Sequence, residues 1–276
     1  MNFKHLVKTI NRIISLLTLA SIALLTMSFV FSFDAVNGYF KGGTLPILFW
    51  ISFALGIILS LASAFAINKN QVIKTENAIK HWRVYIIFGA ALAILSQIFN
   101  CLALNKYFAI ASVSICFFAL YVFFCGAREG YRYSHSKLAF LLLSVIFPLA
   151  MTIDNNSVLH RHSNSVENGL SSVFAIAFLV YVLYEGNRLF SGSHSRWHFA
   201  SLLLISNIGL TLSVSYIIAY LLDSVNEKTR FFQMILILII SLFANVELQR
   251  FTKLVEARTK EEWDEIEAPT EEVTEE

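Results

Sequence analysis

The chain has 276 residues, of which 57% are hydrophobic and 14% are charged. An ordinary soluble domain carries about 25% charged residues, so this composition excludes a small soluble domain and indicates a polytopic membrane protein. The three cysteines, Cys101, Cys116 and Cys125, all fall in apolar stretches. That placement predicts small packing residues, and neither a disulfide framework nor a zinc site.

Eight uncharged stretches approach the roughly 20 residues that a helix needs to cross a bilayer. We predict spans at 13–33, 45–67, 84–104, 107–127, 138–153, 170–184, 197–222 and 231–246. The stretches are continuously apolar, unlike the alternating strands of a membrane β-barrel. The predicted fold class is therefore all-α, a polytopic transmembrane helical bundle of eight spans in a domain that covers residues 1–252.

Positive charge predicts the orientation of the bundle. If the N-terminus is inside, 16 of the 21 Lys and Arg residues lie in inner segments and five lie in outer loops. Lys and Arg near span ends are retained in the cytoplasm, so we predict N-in, C-in topology in the plasma membrane. The first stretch is expected to be a retained helix and not a secretory signal, because it is long and no small-x-small cleavage site follows Phe33.

Residues 253–276 are predicted to form a cytoplasmic acidic tail. All 21 Lys and Arg residues lie at or before Lys260, whereas nine Asp and Glu residues lie in 261–276. Such a run is usually solvated and disordered, although Trp263 and Ile266 leave open a helix that docks on a cytoplasmic protein through 261–276. The negative charge argues against nucleic acid as a partner.

The polar segments between the stretches repeat. Glu-Gly-Tyr-Arg at 129–132 and Ser-His-Ser-Lys at 134–137 are echoed by Glu-Gly-Asn-Arg at 185–188 and Ser-His-Ser-Arg at 193–196. Self-similarity at the length of one helical hairpin predicts four duplicated hairpins. Because each unit has two spans, successive copies enter the membrane in the same direction.

These repeated segments also contain the charged candidates for a site. Three even-numbered spans end in a Glu followed three residues later by an Arg, and residues three apart share a helix face. The shortness of spans 170–184 and 231–246 predicts that the following Glu lies inside the hydrocarbon, where an ionised side chain marks a candidate site. A purely topological role and a docking surface remain open. The candidate inner-face residues are Glu129, Arg132, His135, Glu185, Arg188, His194, Glu247 and Arg250.

Neutral polar residues lie within the spans, while the middle of each span holds no ionisable residue. This pattern argues against an ion-coupled transporter. It leaves two interpretations, hydrogen bonding between helices or a neutral polar path across the membrane. The candidates for the path are Gln97 and Asn100 on span three and Asn207, Thr211 and Ser215 on span seven.

Small residues and one proline predict details of packing. Ser52, Gly56 and Ser60 recur at intervals of four on span two, and Gly89 begins a similar stripe on span three. Small residues allow close helix approach, so we expect both spans in the interior of the bundle. Pro148 removes a backbone donor and predicts a kink in span five.

Metal and catalytic chemistry have little support in the sequence. His160 and His162 in an outer loop supply two imidazoles, but a zinc or copper site needs a third ligand and fixed geometry. We expect an ordinary polar loop there and predict no metal and no cofactor. Nucleophile-elbow, HExxH and Walker motifs do not occur in the sequence, so enzyme activity is not predicted.

Two functions remain. The span number, the duplication and the neutral stripes favour a transport-type permease, or a membrane subunit of one, for a neutral or weakly charged small solute or lipid. The alternative is a non-catalytic membrane scaffold or sensor that binds a partner through its cytoplasmic face and acidic tail.

Overall fold

The computed structural model describes residues 3–34, 36–66, 73–74, 82–101, 106–127, 133–157, 166–225 and 227–267. In these ranges the helices are α1 (Phe3–Phe31), α2 (Thr44–Ala66), α3 (Trp82–Cys101), α4 (Lys106–Ala127), α5 (His135–Leu143), α6 (Ile146–Ser157), α7 (Val166–Ser191), α8 (Arg196–Leu221) and α9 (Lys228–Glu267). Four two-residue strands accompany them: β1 (Phe33–Asp34), β2 (Tyr39–Phe40), β3 (Ile73–Lys74) and β4 (Ser193–His194).

Eight helical segments of the described residues are long and apolar enough to span a bilayer, which confirms the predicted number. They run over Lys8–Phe31, Thr44–Phe65, Trp82–Cys101, Tyr107–Ala127, His135–Ile153, Val166–Ser191, Arg196–Leu221 and Arg230–Thr252. The chain is thus a multi-pass integral membrane protein of helical class. The hairpin duplication, the cytoplasmic side of the termini and the plasma membrane stay predictions.

Successive spans cross the bundle in alternating directions. We call the end where α1 begins and α9 leaves its span the terminal end. At this end the amide of Asn11 donates to Thr252, and β3 pairs antiparallel with β4 between two loops. At the opposite end the backbone NH of Val166 donates to the carbonyl of Gly38 at 3.1 Å. Each contact joins segments that the sequence separates by one or more complete hairpins.

A tight turn joins β1 and β2 at the opposite end. The carboxylate of Asp34 accepts from the side chain and backbone of Asn37 and from the backbone of Val36, and these hydrogen bonds hold its pKa below the usual range. Gly38 has a φ of 71°, a left-handed conformation that glycine adopts without strain.

Helix α8 lies at the centre of the bundle, in contact with α1, α2, α7 and α9. In the most apolar stretch of α8, 78% of the residues are buried inside the protein. In the corresponding stretches of α2 and α3, 28% of the residues are buried. The expectation that spans two and three lie in the interior is therefore wrong. Their small residues do mark close contacts: Ser52 and Gly56 of α2 meet α1 and α8, and Gly89 of α3 meets α4. Most other residues of these two helices lie on the outside of the bundle.

Pro148 interrupts span five as predicted. Helix α5 ends at Leu143 and α6 begins at Ile146, so the break lies just before the proline. A proline cannot donate to the carbonyl four residues earlier and its ring clashes with that group. The carbonyl concerned belongs to Ser144, which instead accepts from the backbone of Phe147 at 3.0 Å.

Helix α9 does not end with its span. It continues as backbone helix to Glu267, beyond the last membrane residue Thr252. The first part of the tail is thus helical, which is the conformation that Trp263 and Ile266 left open. Residues 268–276 lie outside the described residues, and disorder stays a prediction for them.

Helices α3 and α4 form a close pair whose contact depends on glycine. A Cβ atom at Gly89 would lie 2.9 Å from the carbonyl oxygen of Ala119 and 2.9 Å from the Cβ of Phe123. Gly126 approaches Trp82 and Tyr85 equally closely from the other helix. The two backbones therefore have no space for a larger side chain at these crossings.

Replacing Gly89 by Leu is expected to lower the free energy of unfolding by about 2 kcal/mol, because an overpacked contact forces the backbones apart. Thermal unfolding in detergent measures the change. The control is Gly169→Ala, since a Cβ atom at Gly169 meets nothing within 4 Å and an alanine in a helix is slightly favourable. Equal stability of Gly89→Leu and wild type would contradict the close packing of α3 on α4.

Candidate functional site

The last turns of α7 carry the best defined charged site. Glu185 and Arg188 are three residues apart, so their side chains share one face of the helix. The helix continues past both residues to Ser191 and stops at Gly192, which has a φ of 61° and donates its backbone NH to the carbonyl of Arg188. The helix therefore continues beyond residue 184, the predicted limit of span six, which stays a prediction for the membrane boundary.

Glu185 is 1% exposed and uses both carboxylate oxygens. Oε1 accepts from the guanidinium of Arg188 and from the phenol of Tyr121 on α4. Oε2 lies 2.7 Å from Nε2 of His198 on α8. The local ion pair that the sequence predicts is therefore confirmed, and two further helices provide partners that the sequence did not indicate.

A second buried carboxylate lies on the other side of Arg188. Nη1 of Arg188 is 3.7 Å from Oε2 of Glu247 on α9, and Glu247 is 3% exposed. The phenol of Tyr85 on α3 donates to Glu247 and accepts from Nη1 of Arg250 at 3.1 Å. One guanidinium thus lies between two carboxylates, and a tyrosine links the second carboxylate to a second guanidinium.

We call this set the terminal-end cluster. It consists of Tyr85, Tyr121, Glu185, Arg188, His198, Glu247 and Arg250. Two carboxylates face two guanidinium groups, so the formal charges of these four groups cancel. Ionic groups in a low-dielectric region are costly unless they are paired, and these contacts give each of the four groups a charged or phenolic partner. The cluster connects α3, α4, α7, α8 and α9 through polar contacts.

His198 is positioned by its own helix start. Ser195 caps α8 and accepts the backbone NH of His198 at 3.1 Å, which places the imidazole in the first turn. The ring of Tyr181 stacks on the imidazole with centroids 6.3 Å apart. These contacts help to direct Nε2 toward Glu185.

A smaller set of charged residues joins α7 and α9 at the opposite end of the bundle. Arg230 at the start of α9 is fully buried and donates to Asn168 of α7 at 2.5 Å. Its guanidinium lies 3.4 Å from Glu167 and 3.4 Å from Glu227. Helices α7 and α9 are therefore held together by charge at both ends.

A polar seam runs between α1, α2 and α8 in the middle of the membrane. Thr18 lies 2.8 Å from Oδ1 of Asn207, and the hydroxyls of Ser21 and Ser52 are 2.8 Å apart. Ser215 donates to the backbone of α1 at 3.1 Å. The polar seam is formed by Thr18, Ser21, Ser52, Asn207, Thr211 and Ser215. The stripe predicted on span seven thus faces α1 and α2.

The other predicted path residues lie elsewhere. Gln97 is exposed on α3 and donates to Cys116 of α4 at 3.0 Å. Asn100 is partly exposed near the opposite end of α3. Neither belongs to the polar seam, because α3 packs mainly on α4 and α9.

Of the remaining candidates, His135 has a described side chain, and it lies apart from the terminal-end cluster. His135 is exposed and lies 2.9 Å from the phenol of Tyr133. His194 contributes backbone pairing in β4. Glu129, Arg132, His160 and His162 lie outside the described residues. Within the described ranges, three or more His, Cys, Asp or Glu side chains nowhere group closely enough to hold a metal ion.

Four residues of the two charged sets were not predicted from the sequence: Tyr85, Tyr121, His198 and Arg230. The signal for His198 and Arg230 was present, since both are ionisable residues beside an apolar stretch and snorkelling was only one of their possible roles. The two tyrosines carried no such signal, because aromatic residues are frequent at membrane interfaces.

No protein-family model matches the chain, and no curated protein or solved structure matches it either.

Replacing Arg188 by Leu is expected to lower the free energy of unfolding by about 3–5 kcal/mol, because it leaves two buried carboxylates without their shared cation. Thermal unfolding in detergent at neutral pH measures the loss. Arg83→Leu is the matched control, since Arg83 is exposed at the same end of the bundle and surface changes stay within about 0.5 kcal/mol. Equal effects of the two substitutions would show that the terminal-end cluster contributes little to the fold.

Proposed function

We propose that the protein is a transport-type permease, or the membrane subunit of one, for a neutral or weakly charged small solute that passes along the polar seam. The amide of Asn207 carries this proposal. Asn207 is 2% exposed at mid-membrane, and its Nδ2 has no hydrogen-bond partner among the described residues. Buried polar groups are nearly always paired, so the unpaired amide in the seam can form a hydrogen bond with a polar solute.

The unpaired atom lies at the contact between α8 and α2. Nδ2 of Asn207 would lie 2.6 Å from a Cβ atom at Gly56 on α2, so the amide packs directly against the glycine, and a solute would reach it when α2 moves away from α8. Turning the amide by 180° exchanges its oxygen and nitrogen, and one polar atom then still faces Gly56. Oγ1 of Thr211, one turn further along α8, also lacks a partner among the described residues.

The distribution of charge favours movement at this seam. Charged and phenolic groups hold α3, α4, α7, α8 and α9 to one another, and we call these five helices the frame. Helix α1 meets α8 through neutral hydroxyl and amide contacts, and it meets α2 through the hydroxyls of Ser21 and Ser52. Each such contact contributes about 0.6–2 kcal/mol in a membrane. Helix α2 packs on α8 at Gly56 and through the ring of Phe65, which lies under the guanidinium of Arg196. Sliding of packed helices is an established form of domain motion. The α1–α2 hairpin can therefore shift against the frame at a lower cost than any frame helix.

Asn207→Ala is expected to abolish accelerated solute entry while the protein still inserts and folds. Proteoliposomes are challenged separately with urea, glycerol, erythritol and alanine, and re-swelling is followed by stopped-flow light scattering. The wild-type protein is expected to accelerate re-swelling for at least one solute relative to protein-free vesicles.

Gln97→Ala is the matched control, because Gln97 is an exposed carboxamide outside the polar seam and its loss is expected to leave the rate unchanged. Equal rates in protein-free and wild-type vesicles for all four solutes would contradict transport of this solute class. Full retention of the rate in Asn207→Ala would contradict the path.

A scaffold or sensor role is the second candidate, and the extension of α9 favours it. The helix leaves its span after Thr252 and continues to Glu267, and it carries the start of the acidic segment. A partner protein with a basic surface is expected to co-purify with the full chain and to be lost on deletion of residues 261–276. Unchanged co-purification after the deletion would oppose this role.

A further inference from the structure

A groove between the first and last helices lies at the terminal end of the bundle. It has a volume of about 580 Å³ and lies between α1 and α9. Asn11 of α1 donates to Thr252 of α9 at 3.3 Å, and both residues line the groove. The groove is distinct from both the polar seam and the terminal-end cluster, and none of its lining residues belongs to either.

The groove is basic at the membrane surface. Lys8 and Arg12 line it from α1, and both are exposed. Neither forms an ion pair with a described residue, in contrast to Arg188 and Arg230. Two unneutralised cations one helical turn apart at the start of a span attract an anionic group at headgroup depth.

The groove becomes apolar with depth. Leu16 and Leu19 follow Arg12 along α1 and are 67% and 64% exposed. At 1.5 Å per residue they lie about 6–10 Å deeper than Arg12, which is the region of the acyl chains. The order of side chains along α1 therefore matches the order of groups along a phospholipid.

A buried acceptor adds selectivity for the headgroup. Oδ1 of Asn11 is buried in the groove and receives no hydrogen bond from a described residue. Because the Asn11 side chain is only half-buried, a rotation of its amide would let a hydroxyl-bearing headgroup donate to this oxygen while its phosphate lies between Lys8 and Arg12. A choline headgroup lacks both the donor and the net negative charge.

We propose that this groove binds an anionic glycerophospholipid with a hydroxyl-bearing headgroup, taken from the leaflet at the terminal end. The phosphate is held by Lys8 and Arg12, the headgroup donates to Asn11, and one acyl chain follows Leu16 and Leu19. The lipid connects α1 to α9 of the frame, and this binding does not depend on solute transport.

Native mass spectrometry of the full chain in gentle detergent tests the proposal by titration with phosphatidylglycerol. Wild-type protein is expected to bind one phosphatidylglycerol in preference to phosphatidylcholine with the same acyl chains. The double variant K8Q R12Q is expected to bind phosphatidylglycerol roughly 30-fold more weakly, given the usual contribution of two basic side chains near an anionic headgroup.

The variant K41Q K228Q is the matched control, since it removes two exposed lysines at the opposite end and is expected to leave the affinity unchanged. Both variants are expected to unfold at the wild-type temperature without added lipid, which separates loss of the site from loss of the fold. Equal affinity of wild type and K8Q R12Q would overturn the proposal, as would equal binding of phosphatidylcholine. Glycerol 1-phosphate is tested for displacement of phosphatidylglycerol at the same concentration at which the lipid binds. Displacement would indicate a free phosphate ligand instead and would overturn the lipid assignment.

Discussion

Arg188 lies between the carboxylates of Glu185 and Glu247, and the relative positions of five helices depend on this one buried cation. Each carboxylate is hydrogen-bonded by a tyrosine from another helix, Tyr121 or Tyr85. Unpaired charges in a low-dielectric region are costly, so these helices cannot separate individually without exposing a charge to hydrocarbon. The terminal-end cluster therefore makes α3, α4, α7, α8 and α9 one mechanical unit.

The rest of the structure divides according to this constraint. Among the described residues, helices α1 and α2 form no ion pair with the frame. They pack on α8 through small side chains and hydroxyls, and the guanidinium of Arg196 on α8 lies 5.6 Å from the ring centroid of Phe65 on α2. The polar seam between them contains the unpaired amide of Asn207 at mid-membrane. A boundary with weak, neutral contacts beside a charged, rigid frame is where motion costs least.

Sequence patterns predicted the helical class, the eight spans and the Glu185–Arg188 pair, because hydrophobic length and i, i+3 spacing are local properties. They did not predict which helices meet. The stripe around Gly56 indicated a close contact but not its partner, which is Asn207 on α8. The pairing of His198 with Glu185 depends on the cap at Ser195 and on the approach of α8 to α7, and the sequence pattern does not reveal this approach.

Spin-label distance distributions test the division into a frame and a movable hairpin most directly. In a chain with its three cysteines replaced by serine, one labelled pair, Leu48→Cys with Leu221→Cys, spans the seam between α2 and α8. A second pair, Gly169→Cys with Lys228→Cys, lies within the frame; all four positions are exposed. Two populations across the seam and a single narrow one within the frame are predicted. A single narrow distribution for both pairs would contradict the account.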